Sequence, residues 1–181
     1  MLTKDHESTL LRIARESIDG ELVGRQARID VATFDAPLQR PAGAFVTLKT
    51  RAGHLRGCIG SIVPVSPLCE AVATSALNAA FRDPRFHPLT AGEWPHIGLE
   101  ISVMGPILRV VDIEEIVCGM DGLIVSRGHR AGLLLPQVAT EYGWDRETFL
   151  SHTCLKAGLD PDSWRSKDVR IDRFRAHVFG E

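Results

Sequence analysis

Near residue 44 the hydrophobic period changes from that of a helix to that of a strand, and the chain then doubles back through tight turns. Ala44, Val46 and Leu48 alternate with Phe45, Thr47 and Lys49, the period-two pattern of a half-buried strand. Arg51-Ala52-Gly53 turns the chain, and His54 to Val63 reads as the hairpin partner. Ile97 to Met104 is the cleanest strand, with Ile97, Leu99, Ile101 and Val103 on one face. Ile107 to Val111 extends it after Pro106, and Leu123–Val125 with Gly132–Leu135 forms a second hairpin. A short final strand sets Phe174, Ala176 and Val178 against Arg173, Arg175 and His177.

Helical patterns lie between these strands. Leu10, Leu11, Ile13, Ala14 and Ile18 form an amphipathic stripe that Gly20 stops. Ser66-Pro67 predicts a capped helix start, and the Ala-rich run to about Phe81 has too few polar side chains to face water on many sides. Two prolines in Asp83–Pro88 end it. Pro136 begins a short helix ended by Gly143, and Asp145 caps another that Gly158 closes. Residues 21–42 read as a long loop. The expected fold is therefore α+β, a largely antiparallel or mixed sheet flanked by helices. With 181 residues, no repeat and no separating linker, a single domain over 1–181 with a smaller packed lobe inside it is expected.

Composition excludes several classes of function. Twenty-one Lys and Arg against 23 Asp and Glu give net −2, which offers no electrostatic case for nucleic acid or anionic lipid. No apolar run reaches the roughly 20 residues of a membrane span, and the amino-terminal stretch is not a secretory signal. A cytoplasmic, reducing location is expected, with Cys58, Cys69, Cys118 and Cys154 as free thiols. No CxxC pair or metal-ligand spacing occurs, so neither metal nor cofactor is read from the sequence.

Chemistry concentrates in Leu55-Arg56-Gly57-Cys58-Ile59-Gly60. Strand alternation puts His54, Arg56 and Cys58 on one face, with Arg56 and Cys58 about 7 Å apart at the backbone. A guanidinium that folds over a thiol favours the thiolate, the nucleophilic form. The two glycines weaken a strand, which implies close approach by a ligand or a crossing segment. Packing is the plainer reading of any lone cysteine.

LRGCIG resembles the hallmark of the AMMECR domain family, whose prokaryotic members are called AmmeMemoRadiSam system protein A. Asp83-Pro84-Arg85-Phe86, Glu100-Ile101-Ser102-Val103, Gly132–Ala139, Phe149-Leu150, Thr153-Cys154, Lys156–Leu159 and Trp164 continue the resemblance in order, from about Leu10 onward. It implies an α+β fold with a smaller lobe, an activity not established for the family, and partners in a Memo-like protein and a radical-SAM protein, each a separate polypeptide. By this match Arg56, Gly57, Cys58 and Gly60 carry the site, joined by Asp83, Arg85, Phe86 and Glu100.

Two functions are expected from different classes. In one, Cys58 acts on a small-molecule substrate in a pocket shared with Arg56 and Glu100, while Gly57, Gly60, Asp83, Arg85 and Phe86 help bind it. In the other, the domain is a non-catalytic adaptor or carrier. Glu100 either pairs with Arg56 or lies on a wet sheet face. Asp83 and Arg85 form either an anion-binding corner or, the stronger reading, a self-satisfied turn. A thiol nucleophile wants a base, but His54 lies about 13 Å along the strand from Cys58. His87, His129 and His152 remain candidates that only the fold can place.

Overall fold

A computed structural model of the protein describes residues 2–25 and 28–181. It has the expected α+β character, with two antiparallel four-stranded sheets and five helices among the described residues. The chain falls into two compact units, one running up to Met104 and including His177–Glu181, the other spanning Gly105–Ala176.

The first unit contains α1 (Lys4–Leu22), α2 (Ala36–Gln39), β1 (Ala44–Thr50), β2 (Leu55–Ser61), α3 (Leu68–Phe81) and β3 (Ile97–Met104). Gly53, at φ +82°, supplies the left-handed residue that the β1–β2 turn needs. β1 lies antiparallel to both β2 and β3, and the strand order places β2 at one edge. The inward faces of the strands, including Val46, Leu48, Leu99 and Ile101, meet Leu10, Ile13 and Ile18 of α1 and Val72, Ala76 and Ala79 of α3 in one core. α3 touches α1, β1 and β2, which explains why it is apolar almost all round.

The second unit contains β4 (Leu108–Arg109), β5 (Gly122–Arg127), β6 (Arg130–Leu134), α4 (Pro136–Glu141), α5 (Arg146–Lys156) and β7 (Arg170–Phe174). Its sheet runs β4-β7-β5-β6. Leu123, Val125 and Ile171 pack with Phe149, Leu150 and Cys154 of α5 and with Trp164. Asp145 caps α5 by accepting the Thr148 amide, as its sequence position predicts.

The structure departs from the sequence reading at several local points. Gly20 does not stop α1, which runs on to Leu22 through the start of the expected loop. Residues 28–42 are not featureless, because Asp30 caps a single 3-10 turn at Val31–Thr33 and α2 follows; positions 26 and 27 of the expected loop lie outside the described residues. Ser66 does not cap α3: Pro67 occupies that position, and the Ser66 carbonyl instead accepts the Ala42 amide. The strand expected over Ile107–Val111 is only Leu108–Arg109. The tail is two strands rather than one. β7 belongs to the second sheet, and β8 (Ala176–Gly180) follows after a break at Arg175. That break reverses the alternation, so Phe179 is buried and Val178 is half exposed.

Candidate functional site

Strand register sets the site. β1 pairs Thr47 with Cys58 on one side and with Glu100 on the other, so these three side chains form a row across the sheet. They lie on the face away from α1 and α3, beside Phe45, Lys49 and Ser102. Cys58 is partly buried, and its sulfur accepts a hydrogen bond from Thr47 Oγ1 at 3.3 Å. Cys58 and Glu100 are two strands apart, about 10 Å between backbones. Glu100 is held by Lys49 at 2.8 Å rather than by Arg56.

Arg56 does not follow the expected alternation. The register passes from Leu48↔Gly57 to Lys49↔Leu55, leaving Arg56 as the extra residue of a β-bulge. Its guanidinium donates to Glu93 at 3.0 and 3.2 Å and to the His87 carbonyl at 3.0 Å. Glu93 also accepts the N–H and O–H of Thr90. Arg56 first, then the Thr90 amide, pulls the Glu93 carboxyl down to about 2. The ring of Phe86 lies within 6 Å of the guanidinium carbons of both Arg56 and Arg85, at 5.8 and 5.6 Å.

Asp83 and Arg85 act on the backbone of Cys58. β2 is an edge strand, so the Cys58 N–H and C=O facing outward have no strand partner. Asp83 Oδ2 accepts the Cys58 N–H at 2.9 Å, and Arg85 Nη2 donates to the Cys58 carbonyl at 3.2 Å. The two side chains are themselves joined by bonds of 2.9 and 2.7 Å. Hydrogen bonds from the Arg85 side chain, then from the Cys58 amide, hold the buried Asp83 carboxyl far below the usual carboxylate range against the cost of burial. The corner after α3 is thus a self-satisfied turn that also closes the strand edge at the cysteine.

The signature glycines are explained by packing. A Cβ on Gly57 would stand 2.2 Å from the carbonyl oxygen of Ala79 in α3. One on Gly60 would stand 2.2 Å from the Ala44 carbonyl and 2.5 Å from Phe45. Of the ligand or crossing segment that the sequence implied, Gly57 meets a crossing segment, α3, while Gly60 packs against its paired strand β1.

The histidines do not supply a hydrogen bond to the sulfur among the described residues; Thr47 does. His54 is exposed in the β1–β2 turn, its amide on Thr50 Oγ1. His129 and His152 belong to the second unit, where His152 stacks on Trp144 at 3.9 Å. Among the described residues no three His, Cys, Asp or Glu side chains gather as metal ligands would. Cys69 and Cys154 are buried, and burial pushes both thiols up, as it does the partly buried Cys118.

Thr47, Lys49 and Glu93 were not singled out from the sequence. Counting back from the Arg51–Gly53 turn pairs Thr47 with Gly57, and only the extra residue at the Arg56 bulge brings it opposite Cys58, so its partner was not legible. Glu93 lies in a turn without periodicity and left no signal either.

Fold and site together define an α+β protein in which an acid–base corner ties down the edge strand of a partly exposed cysteine. The chain belongs to the AMMECR1 family, which matches residues 11–179. It is 45% identical to a protein of Methanothermobacter thermautotrophicus over 99% of this chain and 96% of that one. It is 42% identical to a protein of Methanocaldococcus jannaschii over 100% and 92% of the two chains. The crystal structure of an uncharacterized protein from Pyrococcus horikoshii is similar at a TM-score of 0.84 and 39% identity, covering 96% of this chain and 90% of that one. No helix among the described residues is long and apolar enough to cross a membrane.

Proposed function

We propose that the protein is a thiol-dependent small-molecule enzyme, or the component of one, with Cys58 as the reacting group. The observation that carries this reading is the hydroxyl of Thr47 directed at a sulfur that is only partly buried. A hydroxyl at that position hydrogen-bonds the sulfur and fixes its orientation toward an incoming substrate. Asp83 and Arg85 position the backbone beneath the sulfur, while Gly57 and Gly60 let the strand lie tightly on its neighbours. Glu100 and Lys49, on the same face, offer a carboxylate and an ammonium to a polar substrate. Arg56, Phe86 and Arg85 form the flank of the site. The resemblance to AmmeMemoRadiSam system protein A adds a Memo-like protein and a radical-SAM protein as proposed partners, with the cytoplasm as the proposed location.

Brief exposure of the folded protein to iodoacetamide, followed by peptide mapping, tests the reading. Cys58 is expected to take the label well before Cys69 and Cys154. Labelling of Cys58 no faster than the buried Cys154 would sink it. An adaptor whose signature only braces a strand fits that second outcome.

A further inference from the structure

A second site lies beside the signature strand but does not involve the sulfur. The β1–β2 turn and the segment from Gly92 to Ile97 border a depression of about 420 Å³, within the size range of small-ligand pockets. Arg56 and Glu93 form one wall, and their charges cancel in a two-pronged ion pair. Thr90 adds its N–H and O–H to the Glu93 oxygen Oε2 that Arg56 Nη2 also reaches, while Oε1 accepts from Arg56 Nε. Arg51 contributes the uncompensated charge. Among the described residues it forms no ion pair, and its only hydrogen bond is a long one, 3.4 Å, to the Pro95 carbonyl. His96 shares the same rim, and Arg56 Nη1 is a buried donor with no partner. The rest of the lining is small or apolar, with Ala52, the side-chain-free Gly92 and Ile97.

We propose that this depression binds a small organic monoanion, a monocarboxylate with an apolar body. Its head takes the open fork of Arg51, which matches a carboxylate in two-pronged geometry. Its body covers the exposed Ala52 and the small part of Ile97, 6% exposed, that reaches the rim, where burial of carbon adds affinity that inorganic anions do not gain. One excess positive charge matches one negative charge and leaves a second unpaired. The site stands independently of any reaction at Cys58.

Amide NMR titration of the whole chain tests the proposal with three probes: benzoate, benzamide and inorganic phosphate. Benzoate is expected to shift the amides of residues 50–53 and 92–97 saturably, with an affinity of about millimolar order for so open a site. Benzamide and phosphate are each expected to bind roughly tenfold more weakly, as is benzoate to the Arg51→Gln protein. Gly92→Leu adds a bulky side chain to the lining without strain, since a Cβ there meets nothing within 4 Å, and is expected to abolish the shifts. Absence of saturable shifts at these amides, equal binding of benzamide or phosphate, or unchanged binding after either substitution would overturn the proposal.

Discussion

Replacing Asp83 by Asn probes the corner that holds the cysteine strand. Asp83 is 4% exposed and accepts from the Cys58 amide at 2.9 Å and from the Arg85 side chain at 2.9 and 2.7 Å. The amide side chain keeps one acceptor oxygen, loses the charge, and turns an NH₂ group toward other donors. Each lost charge-assisted bond is worth about 1.5–3 kcal/mol. Arg85 is half exposed, so water recovers much of its share. A net cost of about 2 kcal/mol at pH 7 remains, or about 10 °C in Tm for a unit of this size. The cost must also depend on pH. A carboxyl depressed in the folded state contributes its full stability above its unfolded value, about 3.9, and loses it as pH falls through the folded value. The Asn variant has no such titration, so the gap between the two proteins should narrow below about pH 4. Urea unfolding at pH 7, 4 and 2.5, with the slope held constant, measures it. A gap under about 0.5 kcal/mol at pH 7, or one that does not shrink in acid, would refute the reasoning.

Gly57→Ala forces a methyl to 2.2 Å from the Ala79 carbonyl, so α3 or β2 must move, and a loss of about 2–4 kcal/mol in urea unfolding is expected. Thr47→Val removes the hydroxyl from the sulfur while keeping the strand, and should slow iodoacetamide labelling of Cys58 about fivefold without lowering Tm. Glu93→Gln leaves the guanidinium of Arg56, which is only 12% exposed, without its counter-charge. Thermal melting is expected to show about 1–2 kcal/mol of destabilisation, muted because Glu93 is itself partly exposed.

Much of the fold was legible because it rests on local periodicity. Ile97–Met104 begins and ends where the alternation does, and the β1–β2 hairpin follows from its turn. The tail was misread because a single residue, Arg175, shifts the phase between β7 and β8, and a period-two pattern alone does not show which sheet each half joins. The same limit applies at Arg56, where one bulged residue detaches its side chain from the row that Cys58 occupies. Composition and spacing marked Asp83 and Arg85 as a turn. Their bonds to the Cys58 backbone arise only because β2 lies at the sheet edge beside them, a tertiary relation across 25 residues for Asp83. Glu93 was hidden for a similar reason, since its partner lies 37 positions away.

The most direct measurement compares the alkylation rate of Cys58 in the folded protein with that of the same thiol in the urea-unfolded chain at pH 7. A reacting group placed under the Thr47 hydroxyl should label at least as fast folded as unfolded, while Cys69 and Cys154 become reactive only on unfolding. A folded rate for Cys58 suppressed as strongly as theirs would contradict the account.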